Sequence, residues 1–292
     1  MWGVLNRMQK SLFLLCLFVV LVTALPLHAD KAGAQAVTLS TKDGWSLAAS
    51  YLPAEPEKRT LILLHDLGKK KEDFTSFEKA LANAGFGYLA VDLRGFGQSI
   101  GGGKASSFAR EGVDNPFNKM TRDVDAAVEF LHQRGVEDEN ICLFGTGLGA
   151  NVAAKSTTFW PDIALLALIS PTSNVRDVLA IPAMRIYKGD VLIAAGAADK
   201  KMFLEASVIR NVAYLTTGAE NGKVTFLTAY EKTSHEMLDQ YLIPAVIQWL
   251  NTPQRPEVLP DATAEVSAQE QTAGVPVESS RTEEALVPSV LN

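Results

Sequence analysis

The chain is short of the side chains that most often build cross-links and metal centres. Its 292 residues include two cysteines, Cys16 and Cys142. Cys16 lies in an apolar N-terminal run, so removal of that run leaves Cys142 alone and excludes an intrachain disulfide. Cys142 is then expected to act as a small buried apolar residue. The four histidines, His28, His65, His132 and His235, are dispersed, and neither a metal nor a cofactor is expected. Basic clusters are missing as well. With 27 Lys and Arg against 33 Asp and Glu, the formal charge is -6, which gives no footprint for a nucleic-acid partner. No apolar run reaches the roughly 20 residues of a comfortable membrane span.

The charge that is present is unevenly placed. Residues 251–292 carry seven acidic residues and two arginines in a Pro-, Ala-, Glu- and Ser-rich context without periodicity. This segment reads as a disordered acidic tail. At the other end, Arg7 and Lys10 precede the apolar run Ser11–Leu25, and small residues follow around Ala29 and Ala34-Gln35-Ala36. That layout is a secretory signal over 1–29. An uncleaved N-terminal membrane anchor is the alternative. Both place the remaining domain outside the cytoplasm, periplasmic or secreted. A linker over 30–36 and a folded domain over 37–250 complete the division. A cleaved signal leaves no stable membrane span.

Within 37–250, strand and helix patterns alternate. Val37–Ser40 and Trp45–Tyr51 flank Thr41-Lys42-Asp43-Gly44 as a β-hairpin with an Asp-Gly turn. Short apolar runs at 60–64, 88–91, 141–144, 163–169, 191–195 and 224–227 read as buried parallel strands. Helical spacing appears at 74–84, 119–133, 202–212 and 237–250, a helix follows the elbow through about Lys155, and a helical turn is expected at 177–180. The fold class is therefore α/β, a mainly parallel sheet with helices on both faces and an antiparallel edge from the hairpin.

Four segments carry the chemistry. They are Leu61-Ile62-Leu63-Leu64-His65-Asp66-Leu67-Gly68, Asp92-Leu93-Arg94-Gly95-Phe96-Gly97-Gln98-Ser99, Gly145-Thr146-Gly147-Leu148-Gly149, and the pair Asp199 and His235. In this order they resemble the α/β-hydrolase superfamily, in particular its serine esterase and peptidase-like members. The resemblance implies the hydrolase fold and a G-x-S-x-G elbow in which Gly147 stands where the nucleophilic serine belongs, and the stretch after Ile169 leaves no room for a large lid. It assigns His235 as base, Asp199 as the acid that orients it, and the amides of Leu67 and Leu148 as oxyanion donors. It also implies an ester- or amide-like small molecule as ligand; a protein partner is not specified.

Two residues depart from that pattern. Asp66 replaces a glycine of the oxyanion loop, and Gly147 replaces the nucleophile. Backbone donors survive both changes, so one missing side chain separates the chain from a complete triad. Glycine suits the strained elbow, where another residue costs about 1–3 kcal/mol. The expectation is a hydrolase-like protein with impaired or absent serine hydrolysis. The alternative is a binding module that uses the Gly-rich elbow for a small anionic ligand or a protein. Thr146, Ser99, Ser170 and Ser173 are the candidate substitute nucleophiles, but no pattern places them, and the Thr146 side chain is expected to point away. His65, Asp92 and Arg94 read as structural, and Asp199 doubles as a helix N-cap. Gly145 to Ala150 also fits the dinucleotide fingerprint G-x-G-x-x-G/A, but the ribose-binding acid is not where that motif needs it, since Asp162 precedes the next strand.

Overall fold

The computed structural model describes residues 33–112, 114–218, 223–230, 232–233, 238 and 241–251. The signal segment, most of the C-terminal tail and His235 lie outside the described residues.

The strands are β1 (Gln35–Ser40), β2 (Ser46–Leu52), β3 (Thr60–Leu64), β4 (Gly87–Val91), β5 (Ile141–Thr146), β6 (Leu165–Ile169), β7 (Asn174–Val175), β8 (Val178–Leu179), β9 (Asp190–Gly196) and β10 (Val224–Ala229). Eight of them form one sheet in the order β1-β2-β4-β3-β5-β6-β9-β10. The pairs from β4 to β10 are parallel. The hairpin β1–β2 joins β4 in antiparallel fashion, as the Asp-Gly turn requires.

The near-continuous apolar runs follow from burial on both faces. Along β3, Ile62 and Leu64 enter one core while Leu61 and Leu63 enter the other. Along β5, Ile141 and Leu143 face the first core and Cys142 and Phe144 the second. Helices α1 (Thr75–Asn83) and α6 (Leu242–Asn251) cover the second core through Phe77, Leu81, Leu242, Val246 and Trp249. Helices α2 (Thr121–His132), α3 (Leu148–Ser156), α4 (Ile181–Met184) and α5 (Lys200–Thr217) cover the first.

One expectation changes. Residues 177–180 form no helical turn: β7 and β8 make a small hairpin there. Its central residues, Arg176 and Asp177, have φ of 53° and 61°. Both angles are positive, the condition for a type I′ turn, which is normally met by Asn or Gly. Arg176 lacks that preference and no glycine follows, so the Arg-Asp pair gave no hairpin signal.

The strand order also locates the site. From β3 the chain crosses to β4 on one side, then returns to β5 on the other side of β3. Segments leaving β3 and β5 therefore diverge to opposite faces and open a crevice at the C-terminal ends of the strands.

Candidate active site at the C-terminal edge of the sheet

Gly147 follows β5 directly and caps the N-terminus of α3, with φ 50° and ψ -113°. Its amide donates to the Ile169 carbonyl at 2.9 Å. A side chain here would be strained by the backbone alone. On either side, α3 lies against the sheet at glycine-only distance: a Cβ on Gly145 would sit 2.2 Å from the Gly149 carbonyl oxygen, and one on Gly149 would sit 2.1 Å from that of Leu64. Gly145 and Gly149 are thus needed for packing α3 onto β3 and β5.

The segment after β3 is fixed by His65. This side chain is buried, and its Nε2 accepts from the Leu93 amide at 3.1 Å. A backbone amide only donates, so Nδ1 carries the proton and donates to the Asp66 carbonyl at 2.8 Å. Burial pushes the imidazole pKa down and outweighs the nearby carboxylates, which keeps the ring neutral. His65 therefore ties the loops after β3 and β4 together, and both ring nitrogens are engaged.

Held this way, Asp66 turns its carboxylate toward the elbow. Its Oδ1 accepts from the Leu67 amide at 2.6 Å and from the Leu148 amide at 2.8 Å. These are the two donors assigned to the oxyanion. They do converge on one point, and the protein's own carboxylate occupies it. Charge-assisted bonds of this kind are stronger than neutral ones, and the N-terminus of α3 favours the negative charge further. The same carboxylate fills the volume of the missing side chain. A Cβ on Gly147 would lie 1.9 Å from Oδ1 and 2.1 Å from Cγ of Asp66. The two departures from the hydrolase pattern are thus one contact, 81 residues apart in sequence. In this arrangement the site has neither an elbow hydroxyl to attack with nor a vacant amide pair to hold an oxyanion.

Beside this contact lies a cavity of about 150 Å³. Its wall includes Asp66, Lys69, Phe74, Gly147, Ile169 and Ser170. Thr146, which precedes the elbow apex, also lines it. Ser170 is the less expected member. It follows β6, is buried at 5% exposure, and has φ 56°. Its Oγ has no hydrogen-bond partner among the described residues.

The remaining candidates have structural surroundings. Asp199 follows β9 and caps α5, accepting from the Met202 amide at 3.2 Å. It stands at the same edge of the sheet as Gly147, but it is not in the cavity wall. Ser99 Oγ donates to the Asp92 carbonyl and accepts from the Ala48 amide. The Ser173 amide donates to Glu205. Asp92 accepts from the amides of Lys71 and Gln98. Arg94 is buried between two carboxylates: its Nε donates to Asp123 Oδ1 at 2.7 Å and its Nη1 to Asp43 Oδ2 at 2.7 Å. Cys142 is buried, and burial pushes its thiol well above the usual range, so it is unreactive. No cluster of metal-ligand side chains occurs among the described residues. Among the described residues no helix is long and apolar enough to cross a membrane.

A profile of the family described as serine aminopeptidase, S33, matches residues 55–238. No curated protein matches the chain. Among solved structures, an esterase from Pyrococcus furiosus aligns with a TM-score of 0.61 and 17% identity, over 75% of this chain and 90% of that one. An esterase from Exiguobacterium antarcticum gives 0.60 and 14%, over 75% and 100%. A dienelactone hydrolase from Anabaena variabilis gives 0.59 and 15%, over 75% and 95%. At such identities the structural likeness concerns the fold. The profile match, by contrast, spans more than half of the 292 residues, and the chain belongs to the serine aminopeptidase S33 family of α/β-hydrolases.

Proposed function

We propose that this chain is an exported α/β-hydrolase-family protein that has lost serine hydrolysis at the elbow and uses the site for binding. The observation that carries this reading is the Asp66 carboxylate on the amides of Leu67 and Leu148, in the volume a residue-147 side chain would need. A covalent acyl mechanism requires an attacking hydroxyl and a place for the oxyanion. Here the first is missing and the second is filled. The layout of residues 1–29 supports export. The same geometry argues against a small anion at the elbow, because an intramolecular carboxylate already holds the amides and would repel it.

The test is turnover of short-chain p-nitrophenyl esters together with labelling by a serine-reactive fluorophosphonate. The parent protein is expected to show neither. Gly147→Ser alone must displace Asp66 from the amides and should gain little. Adding Asp66→Gly removes the competing carboxylate and should raise the turnover of Gly147→Ser at least tenfold. Rapid turnover by the parent, with fluorophosphonate labelling, would sink this reading.

A further inference from the structure

Helix α5 turns large apolar side chains toward solvent. In a surface helix the face away from the core is normally polar. Along α5 the residues buried against the rest of the fold are Ala206, Ile209, Ala213 and Thr217. The exposed ones are Lys200, Lys201, Leu204, Val208, Asn211 and Leu215. At 3.6 residues per turn the last four fall within about 60° of one another, opposite the buried line. Leu204 is 64% exposed, Val208 48% and Leu215 87%. Three large apolar side chains thus form the outermost ridge of the helix, and neither core cluster includes them. Contiguous exposed apolar residues of this kind mark an interaction surface.

The spacing of the ridge indicates what covers it. Leu204 to Val208 is four residues, Val208 to Asn211 three, and Asn211 to Leu215 four, the alternation of a two-helix seam. This spacing reads the same from either end, about a point between Ile209 and Arg210. An antiparallel second copy of α5 therefore sets Leu204 of each copy against Leu215 of the other, and Val208 against Asn211. Such a contact is isologous and closes with two-fold symmetry. Charge excludes the parallel alternative. Lys200 and Lys201 are exposed at the N-terminus of α5, and parallel pairing would crowd four ammonium groups at one end. Antiparallel pairing parts them by the length of the helix, about 27 Å, well beyond the screening length of about 8 Å. The cation at the other end, Lys188, is tied to the Thr216 carbonyl, about 110° round the helix from the ridge.

We propose that the chain self-associates through α5 as a two-fold antiparallel helix pair, with Leu204, Val208, Asn211 and Leu215 at the seam. The proposal is independent of whether the elbow binds or hydrolyses a ligand. Asn211 is the polar seam residue, which fixes register at a cost in stability. Its Oδ1 accepts from Arg210 of the same helix, so the carbonyl side of the amide is satisfied within each copy. One helix pair covers less than the roughly 800 Å² per partner of a standard interface, so the dimer is weak and dissociates in the micromolar range.

The experiment is sedimentation velocity of the full chain from low micromolar to several hundred micromolar, with thiol cross-linking to read the register. A reversible monomer–dimer equilibrium is expected. Leu204→Glu places a charge in the seam twice and should weaken the dimer at least tenfold. Its melting temperature at low concentration should be unchanged, because residue 204 is exposed in the monomer. Asn211→Leu, which removes the polar seam residue, should tighten the dimer at least threefold. A mixture of Leu204→Cys and Leu215→Cys should be joined by a short bifunctional thiol reagent, because these positions meet across the seam. Neither variant alone should be, since each position lies eleven residues, about 16 Å, from its own copy along the helix axes. Cys142 is buried, and Cys16 is common to every sample. A monomer at every concentration would overturn the proposal and leave the ridge to another segment of the chain or another protein. Association unchanged by Leu204→Glu, association weakened by Asn211→Leu, or equal cross-linking of the separate variants and their mixture would overturn it as well.

Discussion

Asp66 and Gly147 were each visible in the sequence as departures from a pattern, but their relation was not. Residue 147 reads as an absence, and the amides around it read as intact donors. Which group those amides hold depends on the direction of one side chain from a loop 81 positions away. The available signal was the co-occurrence of the departures: an acid where the oxyanion loop wants glycine, and glycine where the elbow wants a side chain. Ser170 was legible only as a serine near a strand end, because neither its positive φ nor its empty hydroxyl has a compositional mark. A second residue-scale consequence concerns Glu78 on α1. Burial, with repulsion from Glu72, pushes its carboxyl up to about 7, against the pull of Lys71. A carboxyl whose pKa is raised on folding contributes stability that is present below its unfolded value of about 4.3 and lost as pH rises through the folded value. Stability should therefore fall between about pH 4 and pH 7 on this account. Glu78→Gln should abolish that part of the fall and stabilise the protein at pH 8 by on the order of 1–3 kcal/mol. Urea titrations of both proteins at a series of pH values read this directly.

The elements that met sequence expectation best are those with burial on both faces. The apolar run at 60–64 is β3, and 141–146 is β5 followed at once by the elbow. Double-sided burial demands an unbroken apolar run, and such runs are conspicuous. The β7–β8 hairpin was missed because its turn relies on Arg176 and Asp177 at positive φ. Helix α5 runs on to Thr217, beyond the expected end at 212, and its last turns leave Leu215 exposed, so amphipathic spacing fades before the helix does. Connections between elements are held by buried charge. Arg94 joins the loop after β4 to α2 through Asp123 and to the β1–β2 turn through Asp43. Removing Asp123 leaves the buried Arg94 Nε without its partner and the guanidinium with Asp43 alone. Asp123→Ala is therefore expected to cost about 3–5 kcal/mol, measured as a lowered urea midpoint with little change in slope. A loss below about 1 kcal/mol would mean that water reaches Arg94 freely.

At the scale of the whole molecule, the chain keeps the family scaffold, and on the proposed reading its elbow serves binding in place of serine hydrolysis. The crevice opens between the segments leaving β3 and β5, where the strand order reverses and doubly wound sheets place their ligands. Its floor is now an internal contact between two loops. The central claim is that Asp66 and Gly147 form one interlocked pair, and a double-mutant cycle tests it most directly. Urea denaturation would be measured for the parent, Asp66→Gly, Gly147→Ser and the double variant. Gly147→Ser alone should be the most destabilised, because it strains the elbow and drives the Asp66 carboxylate off the Leu67 and Leu148 amides. The double variant should lose less than the sum of the singles by at least about 1 kcal/mol, the coupling expected of residues in direct contact. Additivity of the two losses within about 0.3–0.5 kcal/mol, as for independent sites, would contradict the account.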